Sequence, residues 1–131
     1  TEFQSPTFDW QRLYDSHSAK SYLPAQVSDF LWFCQGKNGA IEVKETKHPT
    51  CLKRSAFGNM QLAKLRNRHR AGGFVHVLSY HYTVGDWYVT PWIDIEEAFF
   101  LKSQSFIDLQ SNISHKSCDE ALISLFSEII Q

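Results

Sequence analysis

Two hydrophobic periods alternate along this chain. From Phe8 to Ala19, Trp10, Leu13 and Tyr14 recur at i, i+3 and i+4, the spacing of one helical face, and predict a helix. Ser21 to Ser28, with Pro24, reads as a short connection, and the aromatic-rich Asp29-Phe-Leu-Trp-Phe-Cys34 predicts a strand. Gly36-Lys-Asn-Gly39 is expected to turn the chain into a second strand from Ala40 to about Thr46, where Ile41 and Val43 alternate with Glu42 and Lys44. The pair predicts a hairpin.

Thr50 to Ala56 reads as a polar, basic connection offering Ser55 as an N-cap. A helix is then expected from Phe57 to Arg70, stopped by Gly72-Gly73. Gly73 to Tyr82 predicts a strand, with Phe74, His76, Leu78 and Tyr80 on one face. Val84-Gly-Asp86 turns into a strand from Trp87 to Trp92, whose Pro91 marks a strand end or a sheet edge. Asp94 to Ser103 predicts a short helix, and Phe106 to Leu109 a short strand or loop. Ser117-Cys-Asp-Glu120 fits a capping box, followed by an apolar stripe of Leu122, Leu125, Phe126, Ile129 and Ile130. The order predicts one α/β domain over residues 1–131, with a mixed central β-sheet flanked by helices.

At 131 residues, 43% hydrophobic and 21% charged, the chain has the composition of a globular domain rather than a disordered one. No apolar run reaches the length of a membrane span, and no basic-then-apolar leader opens the chain, which begins at Thr1 as a processed or trimmed N-terminus would. Cys34, Cys51 and Cys118 are odd in number and scattered, which points to a reducing, cytoplasmic setting rather than to disulfides. The six histidines share no zinc-ligand spacing with them, and are read as satisfied or solvent-facing, His76 and His81 as strand residues.

The net charge of −1 hides an asymmetry. Between Lys44 and Arg70 stand Lys44, Lys47, Lys53, Arg54, Lys64, Arg66, Arg68 and Arg70, against Glu45 alone. A block this one-sided fits a phosphate footprint. The four tryptophans fall at regular positions in predicted elements. They are assigned to core or subunit packing, with Trp87, Tyr88 and Trp92 as interface candidates, rather than to DNA.

The chemistry gathers on the hairpin. Glu42 and Lys44 project to one side of their strand, and the hairpin can bring Asp29 to them. Two carboxylates, with the Val43 carbonyl, make a hard-oxygen set suited to Mg²⁺, and a neighbouring lysine can stabilise charge developing on phosphorus. On an exposed strand the same Glu-x-Lys is an ion pair worth about 0–1 kcal/mol. Asp29, Thr46, Lys47 and the basic helix shift the balance to a nuclease.

Asp29 followed by Glu42-Val-Lys44 resembles the PD-(D/E)XK nuclease core. Lys44-Glu-Thr-Lys47, Leu52-Lys53, Gln61 and Gly73-Phe-Val-His-Val77 are similar, in that order, to RecU-type Holliday junction resolvases, over roughly residues 26 to 92. The resemblance implies a restriction-endonuclease-like fold and Mg²⁺-dependent cleavage of four-way DNA junctions by a homodimer, with Mn²⁺ as a substitute ion. It implies Asp29 and Glu42 as metal ligands, to which the Val43 carbonyl adds, and Lys44 as the catalytic lysine. Gln61 would reach the site or the scissile phosphate, against an ordinary helix-surface glutamine as the alternative. Thr46, Lys47, Lys53, Arg54, Lys64 and Arg68 are expected to contact DNA, and Asp15, with Glu2 the poorer choice, to add a carboxylate. Two departures stand out. Ser28 replaces the motif's proline, and only Asp15 to Ser28 occupies the place of the RecU stalk. The second leaves room for a general or repair-type nuclease on the same core. A noncatalytic DNA-binding module is the remaining alternative, disfavoured because it has no use for two carboxylates beside phosphate.

Overall fold

The structure, a computed structural model, describes residues 8–12 and 29–129. Its strands are β1 (Phe8–Arg12), β2 (Phe30–Cys34), β3 (Lys37–Thr46), β4 (Cys51–Lys53), β5 (Phe74–His81), β6 (Asp86–Pro91) and β7 (Phe106–Asp108). Five form one sheet in the order β1-β2-β3-β5-β6, and β4 pairs with β7 in a second. The connection from β3 to its neighbour β5 runs through helix α1 (Asn59–Arg70), the crossover that parallel strands need. With antiparallel β1-β2 and β2-β3 pairs beside it, the sheet is mixed. Close contacts divide the chain into Thr1–Glu42 with Gly58–His76, and Val43–Phe57 with Val77–Gln131. Strands β3 and β5 run through both units.

In the first unit, the helix expected from Phe8 begins instead as β1, which pairs Trp10 with Trp32 and Arg12 with Phe30. Phe8-Asp-Trp-Gln alternates apolar and polar, and that period of two prevails over the helical spacing of Trp10, Leu13 and Tyr14. The extended form sets Phe8 against Trp32 (ring centroids 6.4 Å apart) and Trp10 against Phe30 (5.7 Å). Residues 13–28, the rest of that expected helix and the connection after it, lie outside the described residues.

The β2-β3 hairpin forms, but its turn is Gln35-Gly36 rather than Gly36 to Gly39. Both turn residues have positive φ (50° and 80°), as a two-residue turn matched to strand twist requires. Lys37, Asn38 and Gly39 therefore belong to β3. Gly39 faces Trp32 across the hairpin, where a Cβ would lie 2.5 Å from the indole ring, so no side chain fits. Trp32 is 1% exposed, and Phe74 stacks on it from β5 at 5.9 Å.

Helix α1 starts at Asn59 after Gly58, so Ser55 is not its cap; Ser55 falls in a 3-10 turn over Arg54–Ala56. The helix buries only Leu62 and Leu65, one turn apart, each worth about 1.5–3 kcal/mol of burial. Gly72, at φ 99°, ends it, and the Gly73 amide bonds back to the Arg68 carbonyl at 3.1 Å. His76 departs from expectation. It is buried, and its Nδ1 has no hydrogen-bond partner among the described residues. Desolvation lowers its pKa to about 4, so the ring is neutral at neutral pH.

In the second unit, part of the basic connection after Thr50 is a strand, β4, pairing Cys51 with Asp108 and Lys53 with Phe106 of β7. It is too short and polar for its period to show in sequence. β6 is an edge strand ending at Pro91. Helix α2 (Trp92–Ile95) continues as a π-helical segment over Glu96–Leu101, starting two residues before the expected Asp94. Tyr88 and Trp92 are buried, which removes them from a subunit interface, whereas Trp87 is half-exposed and stacks on Tyr80 at 4.5 Å. Helix α3 (Cys118–Ile129) packs against β6. Ser117 Oγ accepts the Glu120 amide at 3.1 Å, and the Glu120 carboxylate reaches back to the Lys116 amide at 3.1 Å, a capping box displaced by one residue. No helix among the described residues is long and apolar enough to cross a membrane.

Candidate active site

The β2-β3 register fixes the relation of the two carboxylates. Pairing ends at Phe30 opposite Ile41, and Asp29 and Glu42 are the next residues along each chain. Asp29 is half-buried and Glu42 is 4% exposed. Burying a carboxylate is costly unless its oxygens are hydrogen-bonded or ligate a cation. Gln61, in the first turn of α1, donates from Nε2 to Glu42 Oε2 at 2.7 Å. A hydrogen bond to a charged acceptor is worth about 1.5–3 kcal/mol, and it orients one oxygen of the pair. Leu62 and Leu65, packed inward, hold the helix face that carries Gln61.

Lys64 and Arg68 follow Gln61 along α1 at i+3 and i+7, on the same side of the helix. With Asn38, Asn67, Ala71 and Gly73 they line a cleft of about 500 Å³ in the first unit. The two amide side chains there carried no signal in sequence, because the cleft exists only once β3 meets the end of α1.

The second unit takes up β3 at Val43. Lys44 lies two residues beyond Glu42 on the same strand, half-buried, with Nζ 4.9 Å from the Phe57 ring centroid. A cation over an aromatic face gains about 0.5–2 kcal/mol, which steadies the lysine. Lys47 is exposed, while its carbonyl accepts the Thr83 hydroxyl at 2.8 Å. Thr46 Oγ1 accepts the His48 amide at 3.1 Å, so its oxygen shapes the chain. Lys53 is exposed at the end of β4, and Arg54 is half-buried with its amide on the Ser105 carbonyl at 2.8 Å. Asp15 and Glu2 lie outside the described residues.

The donor set fits a hard divalent cation. Among the described residues no three His, Cys, Asp or Glu side chains gather as a cage. Two carboxylates on paired stretches of chain, one of them buried and oriented, are donors of the kind a hard divalent cation such as Mg²⁺ accepts when water and substrate phosphate complete its shell.

Neither the protein-family models nor the curated proteins include a match to this chain. Among solved structures, it is similar to Hjc of Archaeoglobus fulgidus, a Holliday junction resolvase from an archaeal hyperthermophile. The TM-score is 0.52 at 18% sequence identity, covering 78% of this chain and 74% of that one. The chain therefore has the α/β fold of that resolvase, the restriction-endonuclease-like fold expected from Asp29 and Glu42-Val-Lys44.

Proposed function

We propose that this protein is a Mg²⁺-dependent structure-specific endodeoxyribonuclease that cuts four-way DNA junctions, acting as a homodimer with each copy nicking one strand. The observation that supports the reading is the buried carboxylate of Glu42, held by Gln61 on the strand paired with the one that Asp29 precedes, on a fold similar to that of a junction resolvase. The narrower RecU-type assignment rests on the ordered run from Lys44-Glu-Thr-Lys47 to Gly73-Phe-Val-His-Val77.

Asp29, Glu42 and the Val43 carbonyl would hold the ion. When bound, Mg²⁺ supplies Lewis-acid polarisation of the phosphodiester and a lowered pKa for water; Mn²⁺ is expected to substitute. Lys44 stabilises negative charge as it develops on phosphorus. Gln61 orients the Glu42 carboxylate. Lys47, Lys53, Arg54, Lys64 and Arg68 pair with backbone phosphates, which makes binding salt-dependent.

The test incubates the protein with a four-way junction, linear duplex and flap DNA, with Mg²⁺ and with EDTA. Paired nicks in the junction alone, abolished by EDTA, are expected. Equal cutting of linear duplex would replace the resolvase with a general nuclease on the same core. Binding without cutting in any metal would leave a DNA-binding module.

A further inference from the structure

The segment after Lys44 is tied to the rest of the second unit through its backbone. From Thr46 to Thr50, four of the five backbone carbonyls have a hydrogen-bond donor from elsewhere in the second unit. Thr46 accepts the Tyr82 amide (3.2 Å), Lys47 the Thr83 hydroxyl (2.8 Å) and Thr50 the Leu109 amide (2.7 Å). The His48 carbonyl accepts His81 Nδ1 at 2.6 Å. A carbonyl can only accept, so His81 carries its proton on Nδ1, and in the neutral ring Nε2 is then the acceptor for Ser79 Oγ at 2.9 Å. Both Ser79 and His81 are fully buried.

His48 completes the arrangement from inside the loop. Its Nδ1 accepts two backbone amides, Thr50 at 3.2 Å and Cys51 at 3.0 Å, while its own amide bonds to Thr46 Oγ1. A side-chain acceptor on the amides two and three residues ahead is the pattern aspartate and asparagine use to start turns, here made by an imidazole. Only a ring with a bare Nδ1 can do this. The carbonyls are thereby occupied with the protein's own donors, while Lys47 stays exposed. A loop with its carbonyls so engaged and its cation outside suits an anion.

We propose that His48 is a positioning residue: its Nδ1 curls residues 46–51 so that Lys47 is presented to a phosphate of the DNA backbone. This rests on the DNA-cleaving reading above. His48 touches no reacting atom; it acts through the loop.

The experiment compares His48→Ala, His48→Asn, Lys47→Ala and the double variant His48→Ala/Lys47→Ala in the whole protein. Junction affinity without divalent metal, steady-state kcat and KM, and amide exchange at Thr50 and Cys51 are measured. His48→Ala should speed exchange of both amides, weaken junction binding several-fold and raise KM, with kcat at saturating DNA retained. Asn supplies an oxygen close to the place of Nδ1, so His48→Asn should restore slow exchange and affinity together. The double variant should bind no more weakly than Lys47→Ala, because the histidine works through that lysine. Additive losses, a fall in kcat alone, or unchanged amide exchange in His48→Ala would each overturn the proposal. If the wild type binds no DNA, the nuclease reading and the phosphate role fall together. Loss of both amides' protection in His48→Ala would then show the loop geometry standing without them.

Discussion

His76 and His81 lie five residues apart on β5, one in each unit, and both are buried. His81 has a partner on each ring nitrogen, from Ser79 and the His48 carbonyl. His76 has none at Nδ1 among the described residues, and burial alone holds it neutral. Strand β3 shows a similar contrast. In the first unit Glu42 is oriented by another side chain, Gln61, whereas in the second Thr46 to Thr50 are held through their backbone. The second unit fixes the shape of a main-chain segment, and the first buries ionisable side chains, one of them a histidine that a fall in pH protonates. Chemistry and grip should therefore separate under mutation.

The largest separation is expected at Glu42. Glu42→Ala or Asp29→Asn should reduce junction cleavage below detection, while affinity measured without divalent metal stays near that of wild type. Retained cleavage would remove the proposed site.

Acid should sharpen the contrast between the histidines. An unfolded chain protonates His76 below about pH 6.5, whereas the folded chain does so only near pH 4. The unfolded state thus holds the extra proton between these values, and stability is lost as pH falls through the window, on the order of 3 kcal/mol in all. Urea unfolding at pH 7.5 and pH 5 measures it. His76→Leu should flatten the dependence; an unchanged slope would mean other groups dominate.

Gln61→Ala should cost about 10- to 100-fold in kcat or in metal affinity, the usual penalty for removing a group that orients a metal ligand. Isothermal titration with Mn²⁺ separates the two, and Gln61→Glu, which cannot donate, should not rescue. The smallest effect belongs to Lys53→Ala. It should lower the salt slope of junction binding by about 1 and leave kcat alone. A change in kcat at this position would contradict the separation.

What could be read beforehand follows how local each cause is. The β2-β3 hairpin was legible because apolar residues alternate from Ile41 to Val43 between charged ones, and that hairpin made Asp29 and Glu42 the candidate pair. Its turn was misplaced because Gly36-Lys-Asn-Gly39 has the composition of a turn, whereas backbone twist selects the positive φ of Gln35 and Gly36. β1 was hidden by tryptophan, leucine and tyrosine at helical spacing. The Gln61 bond to Glu42 spans nineteen positions, so no window of sequence contains it, and only the family resemblance pointed Gln61 toward the site. The His81-His48 link crosses thirty-three, and nothing about an isolated His-Pro-Thr announces an imidazole acting as a turn-starting acceptor.

Trp32 over Gly39 has a consequence for those carboxylates. Slide β3 by one residue against β2 and either Asn38 or Ala40 would put a Cβ where the indole lies. The same slide would swing Glu42 to the opposite side of the sheet. The hairpin thus has a mechanical index, one notch that admits one tooth, and Glu42 keeps its side of the sheet only when the notch is engaged. A glycine with no chemistry of its own sets the phase in which the chemistry can occur.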